Sequence, residues 1–280
     1  MKDPKVFIII LNYNGKDVIE RCLTSVLGSS YLNLEIVVVD NNSTDGSLEF
    51  IKRKFSKVNF IKNSRNIGFS AGNNVGIRFA LEKMADFVFI LNNDAWINKD
   101  TVRELVDFSS KKSDLGVISP IIKSDKNDIW FNGGKIDWLR MKTVHLNDGK
   151  DTEYITGCAM FVRRDVFKKI GLFDEDFFLY YEDADFSVRA TRAGFRLGID
   201  RATEVFHSEK SEENNPSKIY WLVLSGLIFF KKNSPLLLHP WVKFYTFLRK
   251  EKNKRDIKKG LNEDISGKVR RAYVDFNDAM

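Results

Sequence analysis

Cysteine and histidine are scarce here: two of the former and three of the latter among 280 residues. Cys22 and Cys158 stand far apart and lack metal-ligand spacing. That argues against a disulfide framework and for a reduced, cytoplasmic setting. Long apolar runs are also missing. YWLVLSGLIFF (220–230) falls short of the roughly 20 residues a membrane span requires. VFIIIL (6–11) is too short for an export-signal core and gives way at once to Asn12-Tyr13-Asn14, so it reads as a buried strand. The first 215 residues carry no basic excess, with a charge balance of −1, which excludes the footprint of a nucleic-acid binder. There is no internal repeat, no dinucleotide-binding glycine fingerprint and no Walker A phosphate loop. No Cys or Ser nucleophile is evident.

What is present is a chain 43% hydrophobic, enough for one large domain with an appendage. Short β-branched runs alternate with longer helix-like stretches. VFIIIL, EIVVVD (35–40), VNFIKN (58–63) and FVFILN (87–92) predict strands. Helices are expected over 15–27, 43–55 and 71–84 between them. Strands that are apolar along their whole length argue for an α/β fold with a mostly parallel sheet covered on both faces. Ligands of such sheets sit beyond the carboxyl ends of the strands. Those ends read NYN, DNNS, NSRN and NND. Further on, a helix and the strand GVISP are expected over 101–120, a hairpin around WFNGGKIDW (130–138), helices over 164–170 and 182–193, and a strand at FRLGID.

Several residues at these places can carry chemistry. Asp40 precedes the cap candidates Ser43, Thr44 and Asp45, so a ligand contact suits it better than capping. An acceptor-only carboxylate fits the ring N–H of a uracil or thymine base, and Tyr13 can offer a ring face to it. NSRNIGFSAGNNVG (63–76) leads into a helix whose N-terminus can face phosphate. Asp94 is either a metal ligand completed by substrate phosphate oxygens or part of a turn. In FDEDFFLYYEDADF (173–186), carboxylates flank an aromatic run. Glu182 and Asp183 fit either helix-start charges or a base in a walled pocket. His207 needs a carboxylate partner to be more than structural.

Taken in order, NYN, VVVDNNSTDGS, NIGFSAGNN, FILNND, YITGCAMFVRRDVFKKIGLFDEDFFLYYEDADFSVRATRAGF and VFH resemble the inverting, nucleotide-sugar-dependent family 2 glycosyltransferases of the GT-A fold. Within them, the likeness is to the rhamnosyltransferase-like and galactofuranosyltransferase-like branch. It covers residues 5 to about 210.

The resemblance implies a donor site at Asn12, Tyr13, Asn14, Asp40 and Asn42, continued by Arg65, Asn66 and Gly72. It puts Asn93 and Asp94 in the place of a DXD-like motif, where the branch often has Asn-Pro-Asp. Asp183, beside Glu182, matches the acceptor-activating base, and His207 completes a site for Mn2+ or Mg2+ with Asp94. The implied donor is a UDP- or dTDP-linked sugar such as rhamnose, galactofuranose or another hexose. The implied acceptor is a glycan or lipid-linked saccharide. A non-catalytic sugar-nucleotide or glycan-binding module is the alternative. A sugar-nucleotide-synthesising enzyme would carry a Gly-rich basic loop where this chain has NYNGKD.

The catalytic domain is expected over 1–215, with a nucleotide-sugar half to residue 94 and an acceptor half beyond it. Residues 216–280 form a basic, aromatic helical extension with a charge balance of +8. Its composition fits packing on the catalytic domain or on a second copy, or peripheral contact with the inner face of a membrane.

Overall fold

The computed structural model describes residues 3–208, 216–259 and 263–278, so the boundary expected at 215 lies outside the described residues. Strands β1 (Val6–Asn12), β2 (Leu34–Asp40), β3 (Asn59–Lys62) and β4 (Phe87–Leu91) run parallel in the order β3-β2-β1-β4. Helices α1 (Ile19–Leu27), α2 (Ser47–Lys54) and α3 (Gly68–Glu82) connect them. Along β1, Val6, Ile8 and Ile10 join one buried cluster with Ile19 and Leu23 of α1. Phe7 and Ile9 join the other with Ile77 of α3. A strand that alternates between two apolar faces must be apolar throughout, which is why VFIIIL has no polar beat.

The second half departs from this parallel order. It comprises β5 (Ala95–Ile97), α4 (Thr101–Lys111), β6 (Leu115–Ser124), β7 (Ile129–Phe131), β8 (Gly134–Asp137), β9 (Lys142–His145) and β10 (Ala159–Arg163), then α5 (Arg164–Ile170), α6 (Glu182–Arg192) and β11 (Arg196–His207). β10 inserts antiparallel between β4 and β6, β11 runs parallel to β6, and β5 and β7 pair antiparallel at the margins. Six of the nine strands share one direction, so the sheet is mostly parallel. The expected WFNGGKIDW hairpin does not form. β7 joins the main sheet through Ile122–Phe131 pairing, and the hairpin is β8 with β9 instead. FRLGID is only the start of a 12-residue strand, which passes a register shift between Asp200 and Glu204 before reaching His207.

After β11 come α7 (Pro216–Asn233), a 3-10 turn (Leu236–Leu238), α8 (His239–Lys258) and α9 (Glu263–Asp278). α7 buries Phe229 and Phe230 completely, against Tyr181 and Trp138. Asn233 donates to Asp185 at 2.9 Å and accepts from Arg192 at 2.6 Å, which pins α7 to α6. Among the described residues, no helix is long and apolar enough to cross a membrane.

Candidate active site

The carboxyl ends of β1, β2 and β4 meet through one buried amide. Asn12 Nδ2 lies 3.1 Å from Asp40 Oδ2, 3.1 Å from Ser43 Oγ and 2.9 Å from Ser47 Oγ, while its Oδ1 accepts from Asn93 Nδ2 at 3.1 Å. Asn93 is thus a tether between strand ends. Gly15 makes the tether possible, because a Cβ there would stand 2.2 Å from Asn93 Nδ2 and 2.5 Å from Asn12 Oδ1. The residue after Asn93 is left to face outward from the sheet.

That residue, Asp94, meets His207. The antiparallel pairing of β5 with β11 sets His207 opposite Ala95, and Ser208 N–H donates to the Asp94 carbonyl at 3.0 Å. The side chains follow, with His207 Nε2 3.1 Å from Asp94 Oδ1. Both that oxygen and His207 Nδ1 are buried without a well-formed hydrogen bond among the described residues. Orphaned buried polar atoms are uncommon unless something else binds them. Asp94 Oδ1 and His207 Nε2, 3.1 Å apart, fit a divalent cation, with remaining positions taken from substrate or water. Among the described residues, no group of three or more His, Cys, Asp or Glu is placed to hold a metal ion by itself.

A second acidic pair comes from the N-terminus of α6. Tyr180 and Tyr181 adopt left-handed backbone conformations, φ 71° and 65°, which turn the chain sharply into Glu182 and Asp183. Such conformations cost about 1–3 kcal/mol each in a non-glycine residue. Here Tyr181 is held by its ring, stacked 5.3 Å from Phe229 of α7. Asp183 accepts from the backbone N–H groups of Gly157 at 3.0 Å and Ala184 at 2.7 Å. Burial pushes its carboxyl above the ordinary carboxylate range, and those N–H donors, together with the charge of His145, work against the rise. Glu182 is pushed up further, by burial and then by the charge of Asp183, and its Oε2 has no partner among the described residues. Of the two, Asp183 has the donors and the helix N-terminus to carry the negative charge, leaving Glu182 the neutral partner.

Both pairs line one cavity of about 560 Å³, a size that suits a sugar nucleotide. Of the residues singled out from sequence, Tyr13, Asn66, Asn93, Asp94, Glu182, Asp183 and His207 line it. The others do not. Asn12 and Asp40 are fully buried beneath the strand ends, and Asp40 Oδ1 accepts from the Ser43 N–H at 3.0 Å. Asn14 accepts from the Thr44 N–H at 2.8 Å, bracing the loop beside Tyr13. Asn42 yields its expected place to its neighbour Asn41, which faces inward and donates to Gly68 O at 2.9 Å and to Asn66 Oδ1 at 3.2 Å. Arg65 is exposed and lies outside the lining. Gly72 is a packing residue, since a Cβ would come 2.5 Å from Leu11 Cδ1. Its role is to seat α3 on β1.

The cavity also draws on residues the sequence reading passed over. Trp130, Thr143 and His145 come from the β7–β9 region, and the Trp130 ring lies edge-on to His145 at 4.6 Å and tilted against His207 at 4.7 Å. Tyr154 and Gly157 complete that side, and Lys218 and Leu222 of α7 form part of the rim. Only Gly157 left a usable signal, the small residue in YITGC. The rest sit where aperiodic sequence meets strand pairing.

With this geometry in view, known proteins agree. Residues 7–171 match the model of glycosyl transferase family 2. The low-salt glycan biosynthesis hexosyltransferase Agl10 of Haloferax volcanii is 28% identical over 78% of this chain and 71% of its own length. The dTDP-rhamnosyl transferase RfbF of Shigella flexneri is 27% identical over 84% of this chain and 83% of its own. Among solved structures, GalNAc-T7 with UDP, GalNAc and Mn2+ superposes with a TM-score of 0.70, at 18% identity, over 98% of this chain and 54% of that one. The mannosyltransferase PcManGT of Pyrobaculum calidifontis, in complex with GDP-Man and Mn2+, reaches 0.64 at 16% identity, over all of this chain and 77% of that one. The last two likenesses concern the fold. With the family matched across more than half its length and a GT-A architecture around the cavity, the chain belongs to glycosyl transferase family 2 and is a glycosyltransferase.

Proposed function

We propose that this enzyme moves a rhamnosyl or other hexosyl group from a UDP- or dTDP-linked donor to a hydroxyl of a glycan or lipid-linked saccharide, with inversion. The observation that carries the reading is that two unlike acidic centres line one cavity: Asp94 with His207, and Asp183 with Glu182. The relatives' names, a hexosyltransferase and a dTDP-rhamnosyl transferase, support the donor class.

Asp183 acts as general base, taking the proton of the acceptor hydroxyl as its oxygen attacks the anomeric carbon. The N–H groups of Gly157 and Ala184 hold the carboxylate in position and keep it anionic despite burial. Glu182, protonated, adds no second negative charge beside it. At the other centre, Asp94 and His207 would hold a divalent cation, Mn2+ or Mg2+, the imidazole nitrogen favouring Mn2+. Such an ion supplies charge stabilisation to the departing nucleoside diphosphate. Tyr13 and Asn41 border the donor side, and Asn12 and Asn93 keep the strand ends in register beneath it.

The direct test is a thermal-shift screen of UDP-, dTDP- and GDP-sugars with Mn2+ or Mg2+, followed by a donor-hydrolysis assay on each hit. Turnover of a dTDP- or UDP-sugar is the expected result. A donor that stabilises the protein but is never hydrolysed or transferred would favour a binding module instead.

A further inference from the structure

The exposed side of α8 is built from only two kinds of residue. Apart from Pro240, its exposed positions are Trp241, Phe244, Phe247 and Leu248, or the cations Lys243, Arg249, Lys252, Lys254, Arg255 and Lys258. The two acids of the helix, Glu251 and Asp256, are only half-exposed, and Glu251 accepts from Lys254 at 2.6 Å. The division runs along the axis. Apart from Lys243, the first half is apolar and the second half cationic. Just before α8, the 3-10 turn holds Leu236 and Leu237 at 82% and 93% exposure, an unusual fate for two adjacent leucines. Leu139, at the tip of the β8–β9 hairpin and 57% exposed, extends the patch. Trp241 Nε1 donates to its carbonyl at 2.9 Å.

The opposite side of α8 is occupied. Val242 is buried, Asn253 donates to Ser266 O of α9 at 3.2 Å, and α7 carries Phe229 and Phe230 into the core. The outward face is therefore presented by a fixed scaffold. A second copy is a poor occupant: two-fold docking along this face would set the cationic half of one α8 against the apolar half of the other, and the two acids of α8 are only half-exposed. Cations call for an anionic surface, and aromatic rings with fully projecting leucines call for an apolar layer beneath it. A bilayer containing anionic lipids offers both, and each Lys or Arg near such a surface adds attraction.

We infer that the 3-10 turn and α8 form a membrane-docking face for anionic bilayers, with Leu236, Leu237 and the aromatic half entering the interface and the cationic half lying on the headgroups. α7 links this face to the cavity. Leu222 at the rim and Leu236 in the patch are 14 positions apart, roughly 20 Å at the helical rise. The inference stands without the assignment of donor or base, because it concerns a surface the cavity does not include.

The test uses the full chain and co-sedimentation with vesicles of phosphatidylcholine alone or with one-third phosphatidylglycerol. Binding to the anionic vesicles, reduced by added salt, is expected. Two variants separate the contributions: Leu237→Ser with Phe244→Ser, and Arg249→Gln with Lys252→Gln and Arg255→Gln. Each should lower partitioning at least about tenfold, with unchanged melting and unchanged turnover of a soluble donor. Wild-type protein that stays in the supernatant with both vesicle types overturns the inference. So does equal binding by wild type and both variants. Dimers that the Leu237→Ser, Phe244→Ser variant dissociates, with vesicle binding intact, would assign the face to a second copy.

Discussion

The two acidic centres of the cavity hold their carboxylates in opposite conditions. Asp94 keeps a buried oxygen that no described hydrogen bond satisfies and looks to His207 at 3.1 Å. Asp183 is already satisfied by two backbone N–H groups at a helix start. The difference is one of construction. Strand pairing sets the first, and a pair of left-handed tyrosines, of which Tyr181 packs on α7, sets the second. An acid that lacks donors suits a cation, and an acid with donors suits proton transfer from a ligand. The contrast gives the site its division of labour.

Substitutions can break that contrast. Asp183→Asn keeps the shape and removes the base, so turnover should fall by ~10²–10⁴-fold with little change in donor binding. Near-normal turnover would remove Asp183 from the mechanism. Asp94→Ala should cost about 10²-fold or more and abolish the response of the protein to Mn2+ in thermal shift. An undiminished metal shift would place the cation elsewhere.

Gly15→Ala drives a methyl into the Asn12–Asn93 tether. Losing that bond should lower stability by about 1 kcal/mol and weaken donor binding, read from denaturant melts and donor titration. The smallest effect is expected from Glu182→Gln. The Glu182 carboxyl binds its proton more tightly folded than unfolded, so the stability it contributes is fully present below about pH 4.5. That contribution is lost as pH rises towards its raised folded value. The variant, which has nothing to ionise, should therefore melt above wild type at pH 8 and converge with it towards pH 4.5. A constant offset across that range would mean that Glu182 is ionised in the native state.

Much of the site was legible because parallel sheets gather function at strand ends. NYN, DNNS and NND were found by reading where apolar runs stop, and α5 and the start of α6 match their expected residues. Helix starts were read less well. α1 begins at Ile19 rather than Gly15, and α2 at Ser47 rather than Ser43. In both places the polar residues bond across loops instead, with Asp45 accepting from Lys16 N–H and Ser47 N–H at 2.9 Å each. Neighbours in sequence also changed roles. Asn41 points into the cavity and Asn42 does not, because Asn42 takes a left-handed turn with φ 63°.

Sequence alone determined the parallel β1–β4 layer, since doubly buried strands need unbroken apolar runs whatever surrounds them. It also determined which residue types reach the strand ends. Tertiary structure alone decided who meets whom. His207 reaches Asp94 only because β11 continues past a register shift to pair with β5, and Trp130 and His145 reach the cavity from β7 and β9. The β11 pairings join residues about 80 to 110 positions apart, and their partners are chosen by packing and hydrogen-bond completion across the whole sheet. No local pattern along the chain records that choice.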